Sequence, residues 1–256
     1  MKMSENETKD LVESKSAMPM ALDGAVPEGS WGTQEFSASD ILISKLLLQQ
    51  ALSELVNDGK TKPGDMADSV TGEVLAPRGE MLEIIPICMT KTWRLFKQEK
   101  NKFEFERIEP CTASNENLPY EFQEGADLWR RDKCFNLHLL LTRNATKPET
   151  LPLVVTFSRT SSNVGRFVAT HFMKMQMAKR PPAHQTLVLY AHQEQGDLGA
   201  YFVFKIKEGR ETTKEELAAA YRWFNLLKAA NVRVDDVEER KTETPRDDQS
   251  SQAIAM

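Results

Sequence analysis

The six residues Phe103-Glu104-Phe105-Glu106-Arg107-Ile108 alternate apolar and charged side chains one for one. That period of two is satisfied by a strand with one buried and one wet face, and not by a helix. Other strand signals surround it. Met81–Phe96, rich in Ile, Met, Trp and Phe, predicts one long strand or two bent ones, and Cys134–Leu141 and Leu151–Ser158 predict two more. Thr186–Ala191 and Ala200–Lys207 predict a hairpin through Gln195–Gly199, and Ser69–Val74 a smaller one. Glu109–Asp127, with Pro110, Pro119 and Gly125, reads as a long loop.

Helical periodicity is confined to fewer places. Val164, Phe167, Val168, Phe172, Met175 and Ala178 recur at spacings of three and four, which predicts a helix over Asn163–Lys179 stopped by Arg180-Pro181-Pro182. A last helix starts near Thr213, with Glu216 three residues on as a capping box and Leu217, Ala220, Tyr221, Phe224 and Leu227 as its apolar stripe. Ile41–Leu48 reads either as a strand or as the start of a helix capped by Ser39 or Asp40, with Ile41, Lys45, Leu48, Leu52 and Leu55 on one face. Lys62-Pro63-Gly64-Asp65 is a turn. The sum predicts an α+β protein: a strand-rich Greek-key barrel (OB-like) or a sandwich, with an internal and a C-terminal helix. Residues 1–36 and 235–256 lack sustained apolar periodicity and read as a disordered arm and a disordered acidic tail around one folded domain, 37–234.

Apolar runs such as Leu151–Phe157 are too short to cross a bilayer, and the polar, acidic start does not resemble a signal peptide, so a cytoplasmic setting without membrane is expected. Three cysteines, Cys88, Cys111 and Cys134, suit a reducing compartment. The net charge of −5 is unevenly spread. Between Leu128 and Arg180 ten bases face two acids, Asp132 and Glu149, which permits a basic face on an acidic chain. The acidic stretch Asp235–Asp248 suits recruitment of partner proteins.

The chain carries no phosphate-cradling glycine loop, no Gly-x-Gly-x-x-Gly, no His-Glu-x-x-His and no Gly-x-Ser-x-Gly. Its four histidines are scattered, and we read it as non-enzymatic and without a cofactor. Cys134 and His138 would share a strand face more than about 12 Å apart, too far for one ion, so Cys88, Cys111 and Cys134 are expected to be structural thiols and His138 a core histidine.

Two segments interleave bases with rings: Lys91, Trp93, Arg94, Phe96 and Lys97, then Trp129, Arg130, Arg131, Lys133 and Phe135. Single-strand binders need this pairing, because cations neutralise phosphate and flat rings stack on bases. Alternation puts Lys91, Trp93 and Leu95 on one face and Thr92, Arg94 and Phe96 on the other, so at least half of the rings belong to the core. Phe157, Phe167, Phe172, Phe202, Phe204, Trp223 and Phe224 are assigned to packing. Arg159–Arg166 joins a strand to a helix and reads either as a phosphate-holding turn or as an ordinary capped one. Single-stranded DNA is therefore the expected partner. A protein-interaction factor, inhibiting another protein or assisting assembly, is the alternative.

Short segments strengthen the first reading. Leu48-Gln49, Lys62–Asp65, Thr71–Leu75, Leu82–Ile87, Lys91-Thr92-Trp93 and Val155–Ser161 resemble, in content and order, poorly characterised phage and mobile-element proteins associated with DNA replication or recombination. The central loop of those proteins often holds several cysteines in pairs, where this chain has only Cys111 and Cys134. The resemblance implies a phage setting, in which the alternative becomes a phage protein-interaction factor that inhibits a host factor or assists assembly; it implies DNA binding, with replication or recombination proteins as partners of the acidic stretch, and it supplies no catalytic residue.

Overall fold

The longest element is β4, Met81–Glu99, whose Ile84, Ile85, Ile87, Trp93 and Phe96 favour extended backbone. The computed structural model describes residues 43–230 except Asn101, Pro148 and Leu198, so the expected N-terminal arm, the acidic tail and the Ser39 and Asp40 caps lie outside the described residues. The strands are β1 (Leu46–Leu48), β2 (Met66–Asp68), β3 (Val74–Ala76), β4, β5 (Lys102–Pro110), β6 (Glu121–Glu124), β7 (Asp127–Leu141), β8 (Leu153–Phe157), β9 (Gln185–Gly196) and β10 (Gly199–Glu211). The helices are α1 (Glu54–Asn57), α2 (Ser162–Met177) and α3 (Lys214–Ala230).

Seven strands form one sheet in the order β10-β9-β4-β7-β6, with β5 paired to β4 and β8 paired to β7. β4 pairs along nearly its whole length with β7, from Ile84 opposite Leu141 to Lys97 opposite Trp129. The register slips between Pro86 and Cys88, leaving Ile87 as an extra residue where proline has no N–H to give the ladder. β1, β2 and β3 form a second, three-stranded sheet. A bridge from Lys45 to Val154 runs beside β8. The Gln50 side chain meets β10, donating to the Phe202 carbonyl at 2.8 Å and accepting from the Phe202 N–H at 3.0 Å. Strands predominate with few helices, so the α+β class holds; among the described residues both sheets are open, and no strand pairing closes the expected Greek-key barrel.

The main core lies between the two sheets and α2. Leu46, Met66, Ile84, Leu137, Val155, Phe157, Val168, Leu187 and Phe204 are all buried in it. Each contributes about 1.5–3 kcal/mol of burial. α2 approaches closely because residue 165 is glycine: a Cβ there would sit 2.5 Å from the Phe135 ring. α3 covers the opposite face of β4 and β7, where Ile85, Leu140, Ala219, Ala220 and Leu227 are buried together. Its expected capping box is present, with Thr213 N–H donating to Glu216 at 2.8 Å and Glu216 N–H donating to the Thr213 hydroxyl at 3.2 Å.

Several local expectations are corrected. The small hairpin expected at Ser69–Val74 is present, but its strands, β2 and β3, lie mostly outside those bounds: the Asp68 carboxylate accepts from Val70 and Thr71 N–H at 2.8 and 2.9 Å and curls the segment into the turn. The helical face through Leu52 does not form: a short strand, β1, precedes a single helical turn, and Leu52 is 71% exposed. The expected loop Glu109–Asp127 contains β6, which pairs with the start of β7. Phe224, assigned to packing, is exposed on α3, as is Tyr221.

Candidate nucleic-acid interface

The two basic and aromatic segments lie side by side. Lys91–Lys97 is in β4 and Trp129–Phe135 in β7, with Trp93 opposite Lys133, Leu95 opposite Arg131 and Lys97 opposite Trp129. β5 lies beyond β4 and β6 beyond β7, so the four strands make one extension of the large sheet. On the face that carries Trp93, the side chains of Trp93, Leu95, Cys111 and Trp129 are buried and Phe122 packs on them.

Cations cover these rings. The Arg131 guanidinium carbon is 3.8 Å from the Phe122 ring centroid and 5.9 Å from that of Trp93. Arg107 lies 4.8 Å from Trp129, and Lys133 lies 5.3 Å from Trp93. Phe122 and Trp129 stack with centroids 6.1 Å apart. Each such cation gains from the negative face of the ring beneath it. Trp93 and Trp129 are only 5% and 6% exposed, so cations, and not open ring faces, form the outer layer.

Carboxylates partly neutralise that layer. Glu116 contacts Lys91 at 2.9 Å and Lys133 at 3.3 Å, Asp127 contacts Lys97 at 2.8 Å, and Glu109 contacts Arg107 at 2.8 Å. The hydrogen bonds from the two lysines hold the Glu116 carboxyl below the usual carboxylate range. Arg131 differs: burial holds its pKa below the ordinary guanidinium value, and its buried Nε has no hydrogen-bond partner among the described residues.

The remaining expected residues fall elsewhere. Arg130 points to the opposite face from Arg131, 3.9 Å from the Phe103 centroid and 2.8 Å from Glu121. Arg94 is buried on that same opposite face, in register with Asp132. Arg159 donates to Asp132 and has a positive φ of 46°. The Arg159–Arg166 segment is thereby tied to β7 by an ion pair, and Ser161 N–H donates to the Ser158 carbonyl at 2.8 Å in an ordinary turn. Arg166 is exposed on α2, outside the β4–β7 pairing. Sequence reasoning missed Arg107 and Glu116. Arg107 was legible in the alternation of β5, whereas Glu116 came from a segment without periodicity.

Cys111 packs with Trp93, while Cys134 is opposite Thr92 on the other face. Among the described residues no group of three His, Cys, Asp or Glu side chains is placed to hold a metal. Burial pushes the Cys88 thiol up to about 11 and the neighbouring His138 imidazole down to about 4. Among the described residues no helix is long and apolar enough to cross a membrane.

Compared with known families, residues 12–233 match the model of the Pam3 phage gp34-like protein family. The chain belongs to that family. This places it among bacteriophage proteins, in agreement with the phage setting that the short segments implied. No curated protein and no solved structure matches it.

Proposed function

We propose that this chain binds single-stranded DNA, without catalysis, in phage DNA replication or recombination. The carrying observation is the in-register pairing of the two basic and aromatic segments, which sets Lys91, Lys97, Arg131 and Lys133 on one face beside Arg107 of β5. Lysine and arginine on one strand face can follow a phosphate backbone, and their stacking on rings keeps their donors ordered. Exposed ion pairs such as these are screened by water and contribute little, so the carboxylates are displaceable by phosphate. Trp93, Trp129 and Phe122 act here as platforms for the cations.

The strand connectivity favours an OB-like reading of the same region. β4, β7 and β8 are consecutive neighbours, β4 also pairs with β9, β9 pairs with β10, and α2 falls between β8 and β9. In OB folds the second and third strands and the loop between the first two bind oligonucleotides. In chain order β5 and β6 connect β4 to β7, which in this reading are the first two strands. Titration of labelled single-stranded and double-stranded oligonucleotides at several salt concentrations tests the proposal: single strands should bind more tightly, with affinity falling as salt rises. Equal affinity for both, or none for either, contradicts it.

A second reading, recruitment of a protein partner, rests on a different feature. Between its pairings with β9 and β5, β4 has no strand along Ile85–Lys91 on that edge among the described residues. There a groove of about 400 Å³ is lined by Ile87, Cys88, Phe172, Arg180, Ala220 and Phe224, with Met177 82% exposed nearby on α2. Phe224→Asp should abolish a groove-borne interaction and leave DNA binding unchanged. Retained recruitment by that variant removes this reading.

A further inference from the structure

We infer that Lys91 and Lys133 form a seat for one phosphate oxygen of the nucleic-acid backbone, and that the Glu116 carboxylate fills this seat when no DNA is bound. The inference rests on the proposed single-strand binding and specifies one of its contacts. Its starting point is a single atom: Glu116 Oε1 lies 2.9 Å from Lys91 Nζ and 3.3 Å from Lys133 Nζ. Two ammonium groups converging on one oxygen is also the arrangement that a phosphodiester oxygen satisfies. The strands explain the convergence. Lys133 is opposite Trp93 and Lys91 is two residues before Trp93 on the same face, so the lysines are diagonal neighbours across the β4–β7 ladder.

The carboxylate is delivered by an anchored loop. Asn115 accepts from Thr112 N–H at 2.7 Å and from the Trp93 indole N–H at 3.3 Å, and donates to the Pro110 carbonyl at 2.9 Å. Glu116 follows directly, so the ring beneath Lys133 also fixes the segment that carries the acid. All three charged side chains remain about one third exposed, at 31% for Lys91, 27% for Lys133 and 36% for Glu116. An ion pair this accessible is weak enough to exchange for a phosphate. Glu116 thus competes with DNA for the two lysines and lowers affinity until a backbone phosphate displaces it.

The test is a double-mutant cycle read by anisotropy with labelled oligothymidylate at about 0.1 M salt. Glu116→Gln should tighten binding by about two- to fivefold, the range open to an exposed pair. In a Lys91→Ala/Lys133→Ala background, which should itself bind more weakly, Glu116→Gln should change nothing. Unchanged melting temperatures for the variants keep the comparison on binding. Two results overturn the seat: wild-type binding that ignores Glu116→Gln, or equal tightening in the Lys91→Ala/Lys133→Ala background, which would indicate a general charge effect. If the wild-type chain does not bind the oligonucleotide at all, the single-strand reading fails and the seat fails with it.

Discussion

Replacing Trp129 by alanine separates a ring that holds the interface together from a ring that stacks on a base. Trp129 is 6% exposed, its ring stacks on Phe122 at 6.1 Å, and Arg107 lies 4.8 Å above it. Removing a buried indole costs about 3–5 kcal/mol of stability through lost burial and the cavity left behind. The lost cation–π contact contributes about a further 0.5–1 kcal/mol. For a folded region of this size each kcal/mol moves the melting temperature by about 2–4 °C, so a fall on the order of 10 °C is expected. Trp129→Phe keeps a ring under Arg107 and should recover about half of the loss. Differential scanning fluorimetry and an oligonucleotide titration on the same samples provide the readings. If Trp129→Ala melts with the wild type while affinity falls by about 1–3 kcal/mol, the ring contacts bases and the platform role is wrong.

Three other outcomes are expected. Arg131→Ala should reduce the slope of log affinity against log salt by about 0.7, one phosphate contact on a single strand, whereas Arg130→Ala on the opposite face should leave it unchanged; equal effects would contradict the assignment of faces. His138, held near 4 by burial, takes up its proton more readily when unfolded, so it stabilises the fold above about pH 6.5 and loses that contribution as pH falls toward 4. His138→Leu should flatten the pH dependence of unfolding in that window, as followed by urea denaturation. Gly165→Ala should destabilise by about 1–3 kcal/mol, because its Cβ would meet the Phe135 ring at 2.5 Å, and thermal melting checks this.

Much of this architecture could be read from local pattern, and the parts that could not depend on distant partners. β5 was visible in strict alternation, and α2 and α3 in their three-four spacing, to within a few residues. β7 begins at Asp127 and not at Cys134, because its first half is mostly charged and becomes strand by pairing with β4 and β6. β6 has one apolar residue, Phe122, which gains its place by pairing with β7 and stacking on Trp129 beneath Arg131. Composition pointed to Trp93 and Trp129 together with their neighbouring bases. Alternation alone could not tell that cations from other strands would cover those rings, since Lys133 reaches Trp93 through the β4–β7 register and Arg107 reaches Trp129 from β5, on the far side of β4. The exposure of Tyr221 and Phe224 was equally hidden, because a helical stripe predicts a buried face and gives no measure of how far the sheet extends beneath it.

Photo-crosslinking of a halogenated single-stranded oligonucleotide, followed by peptide mapping, tests most directly whether the β4–β7 face binds DNA. Adducts should fall in Lys91–Lys97, Arg107–Phe122 and Trp129–Lys133, and should diminish as salt is raised or when Arg131 and Lys133 are replaced by alanine. Adducts confined to α2, α3 or the groove between them, or none above the level seen with duplex DNA, would contradict the account.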